Sequence, residues 1–283
     1  MLWHAPRWLG REVRRRAFLR LAGAALGGTA LAACGSSGHA LAAGVGASTS
    51  SFRSTARRGR SETYEVLLPP GATSAAGLPV CLVLHGRGDD HRAAVNVVQL
   101  DSALATITRH GAPPIALVAM DGGDHAYWHR RADGDDPQRM LIDELLPRLA
   151  AAGMRTSRLG LFGWSMGGYG ALLMAEKLGK ARISYVAVDS PALWLQPGDS
   201  AAGAFDDRED FIRNDVFAAR ARLAGIPVRV MCGKSDTFLA ATRAFVQRVP
   251  DLVTADYPAG GHDPALWRST AVSQMAPLAR ALG

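Results

Sequence analysis

The segment Leu159–Gly170 has the sequence LGLFGWSMGGYG and is the strongest indication of the fold. Its first four residues form an apolar run typical of a buried strand, and the run Gly168–Leu178 is compatible with a helix. A Gly-x-Ser-x-Gly turn centred on Ser165 lies between them. A strand that turns sharply into a helix needs small residues at the turn, and it holds a central serine at the sheet edge. We therefore predict that Ser165 is a nucleophile, with a helix N-cap serine as the alternative.

The rest of the chain from residue 61 onward alternates short apolar runs with segments of helical pattern. The predicted strands cover residues 64–68, 80–84, 115–120, 159–162, 183–188, 228–232 and 252–257. The predicted helices cover residues 137–152, 166–179, 237–249 and 264–281. This alternation predicts an α/β fold with a mostly parallel central sheet and helices on both faces. The longer and more polar stretch 191–225 is predicted to be a short cap or lid insertion.

The positive charge of the chain is unevenly placed. The 283 residues carry a formal net charge of +7. Residues 1–60 hold ten arginines and one glutamate, whereas residues 61–283 are close to neutral. Nucleic-acid backbones are bound by clustered cationic surface, and the sequence shows no such cluster after residue 60. We therefore predict that the folded part binds no nucleic acid.

The N-terminus has the pattern of an export signal. The run Arg14–Arg20 (RRRAFLR) resembles the twin-arginine consensus of two arginines, a spacer, Phe-Leu and a basic residue. A weakly apolar stretch follows and ends at Cys34 in a sequence that resembles a bacterial lipobox. We predict a signal peptide over residues 1–34, which the export machinery recognises. Lipidation of Cys34 would then anchor the protein to the outer face of the cytoplasmic membrane. Cleavage without lipidation, which gives a secreted protein, is the alternative.

Residues 35–60 are rich in Gly, Ser, Ala and Thr with scattered Arg, a composition that predicts a flexible linker. The catalytic domain is accordingly predicted to span residues 61–283. The arginines of the linker, Arg57, Arg58 and Arg60, are interpreted as a solvated charge run, with contact to anionic lipid headgroups as the alternative. Both Cys81 and Cys232 lie inside apolar runs and are predicted to be buried free thiols.

A serine nucleophile needs a base, and the base needs an acid that orients it. Of the eight histidines, His262 is the best placed, because it follows the last predicted strand in a glycine-flanked loop. The preceding strand is followed by Asp236, which is the predicted acid; Asp189, one strand earlier, is the alternative. The order Ser165, Asp236, His262 is the order expected of this type of fold.

The oxyanion formed by attack on a carbonyl needs two convergent donors. We predict that these are the backbone N–H groups of Met166, at the start of a helix, and of Arg87, in the loop after the strand 80–84. The Arg87 side chain is a further candidate for capping the pocket.

The predicted substrate pocket comprises residues near these donors and near the elbow: His85, Gly86, Trp128, His129 and Trp164. For His85 a structural hydrogen-bonding role is the alternative, and for Trp128 and His129 the alternative is a place in the core. The aspartates at 133, 135 and 136 are interpreted as a solvated acidic loop rather than a metal site.

Four motifs together resemble the α/β-hydrolase superfamily: His-Gly-x-Gly at 85–88, Gly-Trp-Ser-Met-Gly-Gly-Tyr-Gly at 163–170, Cys-Gly-x-x-Asp at 232–236 and Gly-Gly-His-Asp at 260–263. The chain is most similar to the esterase branch, which includes S-formylglutathione hydrolases, feruloyl, acetyl-xylan and enterochelin-type esterases, and mycolyltransferases. The resemblance spans residues 62–282 and implies an α/β-hydrolase fold. Mycolyltransferases usually carry a glutamate as the acid and a different oxyanion loop, so Asp236 and the His-Gly-x-Gly loop favour an esterase.

The functional prediction is a serine carboxylesterase that forms an acyl-enzyme and acts on a small-molecule or envelope ester, without cofactor or metal. One alternative is a cell-envelope acyltransferase that uses the same acyl-enzyme. Another is a ligand-binding lipoprotein without catalytic activity, because a fold does not by itself imply a function.

Overall fold

A computed structural model describes residues 39–249 and 253–283 of the chain. The predicted export signal and Cys34 lie outside the described residues. In the described part, eight strands form one sheet in the order β1-β2-β4-β3-β5-β6-β7-β8. The strands are β1 (Gly46–Ser54), β2 (Arg60–Leu68), β3 (Pro79–Leu84), β4 (Ala116–Met120), β5 (Arg155–Trp164), β6 (Ile183–Asp189), β7 (Val228–Met231) and β8 (Val253–Asp256).

The sheet is mostly parallel, as the alternating pattern predicts. All pairings among β3 to β8 are parallel. Only β2 runs against its neighbours, β1 and β4. The carboxyl ends of the parallel strands therefore meet along one edge, where the loops after β3, β5, β7 and β8 come together.

Helices cover both faces of the sheet. They are α1 (Ala93–Asn96), α2 (Leu100–Arg109), α3 (Pro137–Arg139), α4 (Leu146–Ala151), α5 (Met166–Leu178), α6 (Arg208–Arg213), α7 (Leu239–Arg248) and α8 (Pro264–Leu282). The predicted helix 137–152 is interrupted, because a π-helical segment, Met140–Leu145, joins α3 to α4. Pro147 lies in the first turn of α4 and has no N–H to donate, so the regular α-helical pattern cannot run through it.

The side chains of strand β3 belong to two hydrophobic clusters, one on each face of the sheet. Its side chains Val80, Leu82 and Leu84 belong to the cluster that includes α5 and the 191–225 segment. The alternate residues Cys81 and Val83 belong to the cluster that includes α2 and α8. Because successive side chains of a strand point to opposite faces, a continuous apolar run indicates burial on both sides. Cys81 and Cys232 are both buried and free.

The prediction of a flexible linker is wrong for residues 46–60. Strand β1 pairs with β2 along its whole length, from Gly46 opposite Leu68 to Ser54 opposite Arg60. Most side chains of β1 are exposed. Its order therefore comes largely from backbone pairing at the sheet edge, and its Ser- and Thr-rich sequence carries no apolar alternation that could reveal a strand.

Arg57, in the turn between β1 and β2, is not a solvated charge. Its side chain is 1% exposed, and its Nη2 donates to Oδ2 of Asp135 at 3.1 Å. Asp135 is buried as well, so the interpretation of a solvated acidic loop is wrong at that position. The turn brings Arg57 across the loop after β4, where Gly123 leaves space for the guanidinium. Arg58 forms an exposed ion pair with Asp133 of the same loop, and the exposed Arg60 side chain lies 3.5 Å from the buried Asp135 carboxylate.

The segment 191–225 holds two short 3-10 turns, Pro197–Asp199 and Arg220–Leu223, on either side of helix α6. Within the described part of the chain, no helix is both long and apolar enough to cross a membrane.

Candidate active site

Ser165 occupies a strained turn between β5 and α5. Its backbone angles are φ 53° and ψ −121°, in a region that residues with side chains rarely adopt. Glycines make the turn sterically possible: a Cβ on Gly163 would overlap the Gly167 carbonyl, and a Cβ on Gly167 would overlap the Leu84 carbonyl. The strand, turn and helix around Ser165 thus have the geometry of a nucleophile elbow.

Three side chains form a continuous hydrogen-bonded chain at the sheet edge. His262 Nε2 lies 2.9 Å from Ser165 Oγ. Its other ring nitrogen, Nδ1, lies 3.1 Å from Asp236 Oδ2. Since an ionised carboxylate only accepts, Nδ1 carries the proton, and Nε2 is left as the acceptor for the Ser165 hydroxyl. This is the tautomer that a general base requires.

Asp236 is held in its ionised form. Burial of the carboxyl tends to raise its pKa, but hydrogen bonds from His262 and from the Phe238 backbone N–H hold the pKa below its ordinary value. The carboxylate is therefore charged at neutral pH and is placed to stabilise an imidazolium.

The loops that carry Asp236 and His262 are bonded to each other. The Ser235 N–H donates to the Gly260 carbonyl at 2.9 Å, and a Cβ on Gly233 would overlap that carbonyl group. Asp263 lies at the end of the loop that carries His262 and caps α8. Its Oδ1 accepts from the Ala265 and Leu266 N–H groups. The acid and the base are thereby held at a constant separation.

Asp189, the alternative acid, does not approach His262. Its carboxylate accepts from Gln274 Nε2 at 2.6 Å and from Thr270 Oγ1 at 3.1 Å, both on α8. Burial raises its pKa to about 7. Asp189 contacts the nucleophile elbow through its backbone, because its carbonyl accepts from the Ser165 N–H at 3.0 Å.

The segments that carry the predicted oxyanion donors are in contact. Met166 is the first residue of α5, so its N–H has no partner within the helix. The loop after β3 rests on the same turn, because Gly167 leaves space for the carbonyls of Leu84 and His85. The Arg87 side chain reaches outward from this loop and donates to His125 Nδ1 and to the Ala202 carbonyl. The donor role of the two N–H groups stays a prediction.

The side chains predicted to line the substrate pocket are buried instead. The exposed fractions of His85, Trp128, His129 and Trp164 are 2%, 0%, 1% and 0%. They therefore do not line an open pocket. The fifth predicted residue, Gly86, has no side chain and is wedged between Trp164 and Asp89.

His85 and Trp128 have structural roles. His85 Nε2 accepts from the Gly122 N–H at 2.9 Å, so Nδ1 is the protonated nitrogen, and it donates to the Gly86 carbonyl at 2.7 Å. Trp128 Nε1 donates to the His85 carbonyl. The backbone of Tyr127 and Trp128 is left-handed, with φ values of 48° and 56°, and this conformation turns the chain inward after β4.

His129 supports the 191–225 segment rather than a pocket. Its ring stacks on Phe205 with centroids 5.2 Å apart. Its Nε2 lies 3.0 Å from the Ala204 carbonyl. The alternative of a place in the core therefore holds for this residue as well.

Two aromatic residues that the sequence interpretation did not single out flank the site. The Phe238 ring lies 5.1 Å from the His262 ring, and Trp194 lies 5.6 Å from Phe238. They line a groove of about 440 Å³. Their positions in the sequence could have identified them as candidates for the site. Phe238 follows the predicted acid by two residues, and Trp194 lies in the predicted cap.

Comparison with known proteins identifies a family model and solved structures that are similar to this chain. The family model described as "Putative esterase" matches residues 55–270. Among solved structures, a ferulic acid esterase is 20% identical with a TM-score of 0.72, covering 84% of this chain and 99% of that one. The S-formylglutathione hydrolase of Agrobacterium tumefaciens is 18% identical with a TM-score of 0.70, covering 86% and 97%. MPT51 of Mycobacterium tuberculosis is 16% identical with a TM-score of 0.66, covering 83% and 99%. No curated protein matches the chain.

The fold is therefore that of an α/β-hydrolase, and the class is a serine hydrolase that acts on ester bonds. Since the family match covers most of the chain, the protein belongs to the esterase family named above.

Proposed function

We propose that this protein is a serine carboxylesterase that works through an acyl-enzyme on Ser165. The observation that carries the proposal is the hydrogen-bonded chain from Ser165 through His262 to Asp236. All three roles of a catalytic triad are filled by residues of the expected type, in the tautomer and ionisation state that the chemistry needs.

In the proposed reaction, Ser165 Oγ attacks the ester carbonyl carbon while His262 Nε2 takes the hydroxyl proton. The carbonyl oxygen becomes an oxyanion, which accepts from the Met166 and Arg87 backbone N–H groups. Collapse of this intermediate breaks the bond to the alcohol oxygen, and the imidazolium gives its proton to the departing alcohol. Water then attacks the acyl-enzyme by the same sequence of proton transfers and releases the carboxylic acid, which restores Ser165.

Acyl transfer to an alcohol is the second candidate, and it shares every step up to the acyl-enzyme. The exposure of the site favours hydrolysis: the His262 side chain is 26% exposed, so water can reach the acyl-enzyme. An acyltransferase gains from excluding water until its acceptor binds. The two functions are separated by adding an acceptor alcohol or sugar and measuring the ratio of transfer product to free acid.

The decisive experiment uses the purified protein, a fluorophosphonate probe and a series of simple esters, with Ser165→Ala as the control. We expect the probe to label the wild type at Ser165 and not the variant. We expect ester turnover to fall at least about a thousandfold in the variant. Absence of both labelling and turnover in the folded wild type would sink the esterase proposal and favour the non-catalytic alternative.

We further propose that the protein is exported by the twin-arginine route and anchored through Cys34. The support is the sequence pattern of residues 1–34. Replacing Arg15 and Arg16, the two arginines that precede the Ala17 spacer and Phe18-Leu19, with lysine should retain the protein in the cytoplasm. Replacing Cys34 with alanine should move it from the membrane fraction to the soluble exported fraction and abolish labelling by an alkyne fatty acid. A wild type found only in the soluble exported fraction would contradict the lipid anchor.

A further inference from the structure

We infer that the groove beside His262 binds an uncharged apolar substituent of the ester, either alkyl or aryl. The inference rests on the proposed esterase function and adds to it the chemical class of the substrate. The groove lies between the cap segment and the first turn of α7. Its lining residues are Leu193, Trp194, Leu195, Asp199, Ala201, Thr237, Phe238, Ala240 and Ala241.

The walls of the groove are joined to the catalytic residues at both ends. On one side, the Phe238 N–H donates to Asp236 Oδ1 at 2.8 Å, and the Phe238 ring packs against His262. On the other side, the Ala192 N–H donates to the Ser165 carbonyl at 2.9 Å, two residues before Trp194. The groove is therefore bounded by two segments that contact the catalytic residues, which places it next to them.

The chemistry of the lining favours an apolar occupant. The indole of Trp194 meets the Phe238 ring edge to face. The small side chains of Ala240 and Ala241 also line the groove. Leu195 keeps 49% of its surface exposed at the rim, and covering it removes apolar area from water. A volume of about 440 Å³ lies in the lower part of the range for ligand pockets, so it suits one substituent rather than a whole large substrate.

The charge of the groove excludes one class of substituent. Among the described residues that line it, Asp199 is the one with a charged side chain. A carboxylate or phosphate in the groove would meet this negative charge and find no cation to pair with. Neutral alkyl and aryl groups carry no such cost.

The test measures acid release from two ester series that share methyl acetate. In the first series the acyl group grows from methyl acetate to methyl butyrate and methyl octanoate. In the second the alcohol grows from methyl acetate to hexyl and benzyl acetate. The variant Ala240→Trp fills the groove from an exposed position of α7, and Gln247→Trp places the same side chain two turns further along, outside the groove.

The measured quantity is kcat/KM for a large ester divided by kcat/KM for methyl acetate. We expect Ala240→Trp to lower this ratio about tenfold or more in one of the two series. The control Gln247→Trp should leave the ratio unchanged. The series that responds tells whether the groove takes the acyl or the alcohol part. Leu195→Asp provides a second variant at a half-exposed position, and it should lower the same ratio by making the rim polar. Asp199→Lys should raise turnover of a charged ester relative to its neutral counterpart: monomethyl succinate relative to methyl butyrate where the acyl series responds, and 6-acetoxyhexanoate relative to hexyl acetate where the alcohol series responds.

The inference is overturned if the three groove variants, Ala240→Trp, Leu195→Asp and Asp199→Lys, all leave these ratios unchanged while the wild type hydrolyses the esters. It is also overturned if Ala240→Trp lowers methyl acetate as much as the large esters. These outcomes are distinct from failure of the proposed function, in which the wild type hydrolyses none of the esters and the fluorophosphonate probe does not label Ser165.

Discussion

Asp89 accepts a hydrogen bond from Trp164 Nε1 at 3.1 Å, and this bond joins the loop after β3 to the residue that precedes Ser165. Gly86 is enclosed by the pair, since a Cβ there would lie 2.8 Å from the indole nitrogen and 3.0 Å from Asp89 Oδ2. The loop that carries the Arg87 N–H is thereby held against the elbow. Asp89 and Trp164 are positioning residues in the proposed mechanism, not parts of the substrate pocket.

Loss of this hydrogen bond should lower kcat more than it raises KM, because a misplaced oxyanion donor weakens binding of the transition state alone. We expect Asp89→Ala and Trp164→Phe each to lower kcat by about tenfold to a hundredfold. Asp89→Asn keeps an accepting oxygen and should restore most of the loss. A double-mutant cycle should show that the Asp89→Ala and Trp164→Phe effects are not additive. Equal activity of the Asn and Ala variants would contradict the positioning role.

The two candidate acids should respond very differently to the same change. Asp236→Asn removes the charge beside His262 Nδ1 and should lower kcat about a thousandfold to ten-thousandfold. Asp189→Asn alters a carboxyl that bonds to Gln274 and Thr270, so kcat should change by less than about threefold. Steady-state kinetics of the two variants, with thermal unfolding as a check on the fold, decide the assignment. A large loss in Asp189→Asn alone would transfer the role to that residue.

The buried pair of Arg57 and Asp135 should anchor the β1–β2 hairpin. Replacing Arg57 with methionine removes the buried partner of the Asp135 carboxylate and leaves it the half-exposed Arg60 at 3.5 Å. The variant should lower the free energy of unfolding by up to about 3–5 kcal/mol. Arg58→Met is the matched control, because the side chains of Arg58 and Asp133 are 52% and 53% exposed. Its cost should stay below about 1 kcal/mol. Urea denaturation measures both, and equal effects would show that the hairpin is not held by the buried pair.

Glu176 on α5 should make stability depend on pH. Burial, with a smaller contribution from Asp215, raises its pKa to about 9 in the folded state. In the unfolded chain the carboxyl has its ordinary pKa of about 4.5, so between these two pKa values the folded state alone holds the proton. The contribution of Glu176 to stability is therefore complete below about pH 4.5 and is lost progressively as the pH rises towards 9.

The variant Glu176→Gln keeps the shape and cannot ionise. Its free energy of unfolding should exceed that of the wild type by an amount that grows by at least about 1 kcal/mol between pH 5 and pH 9. Urea denaturation at several pH values measures this difference, with the exposed Glu209→Gln as the control. A difference that does not change with pH would show that Glu176 titrates alike in both states.

Local patterns in the sequence are sufficient to predict the α/β architecture and the candidate triad. Apolar runs that end in Gly or Asp indicate buried strands, and parallel strands bring their carboxyl ends to one edge wherever they lie in the chain. Residues placed just after such runs, Ser165, Asp236 and His262, were therefore predicted to meet, and the structure brings them within hydrogen-bonding distance.

Features that depend on contacts between distant segments can be recognised only in the folded protein. Strand β1 is exposed and polar, and it is a strand because β2 offers it a paired edge. Arg57 is buried because Asp135, far along the chain, neutralises it. Asp189 ends β6 and Asp236 follows β7, and only the direction of each side chain separates a core carboxyl from a catalytic one. Trp128 and His129 follow a strand as pocket residues often do, yet a left-handed backbone turns them inward. Such contacts leave no periodic signal in the local sequence, since each arises between residues that folding alone brings together.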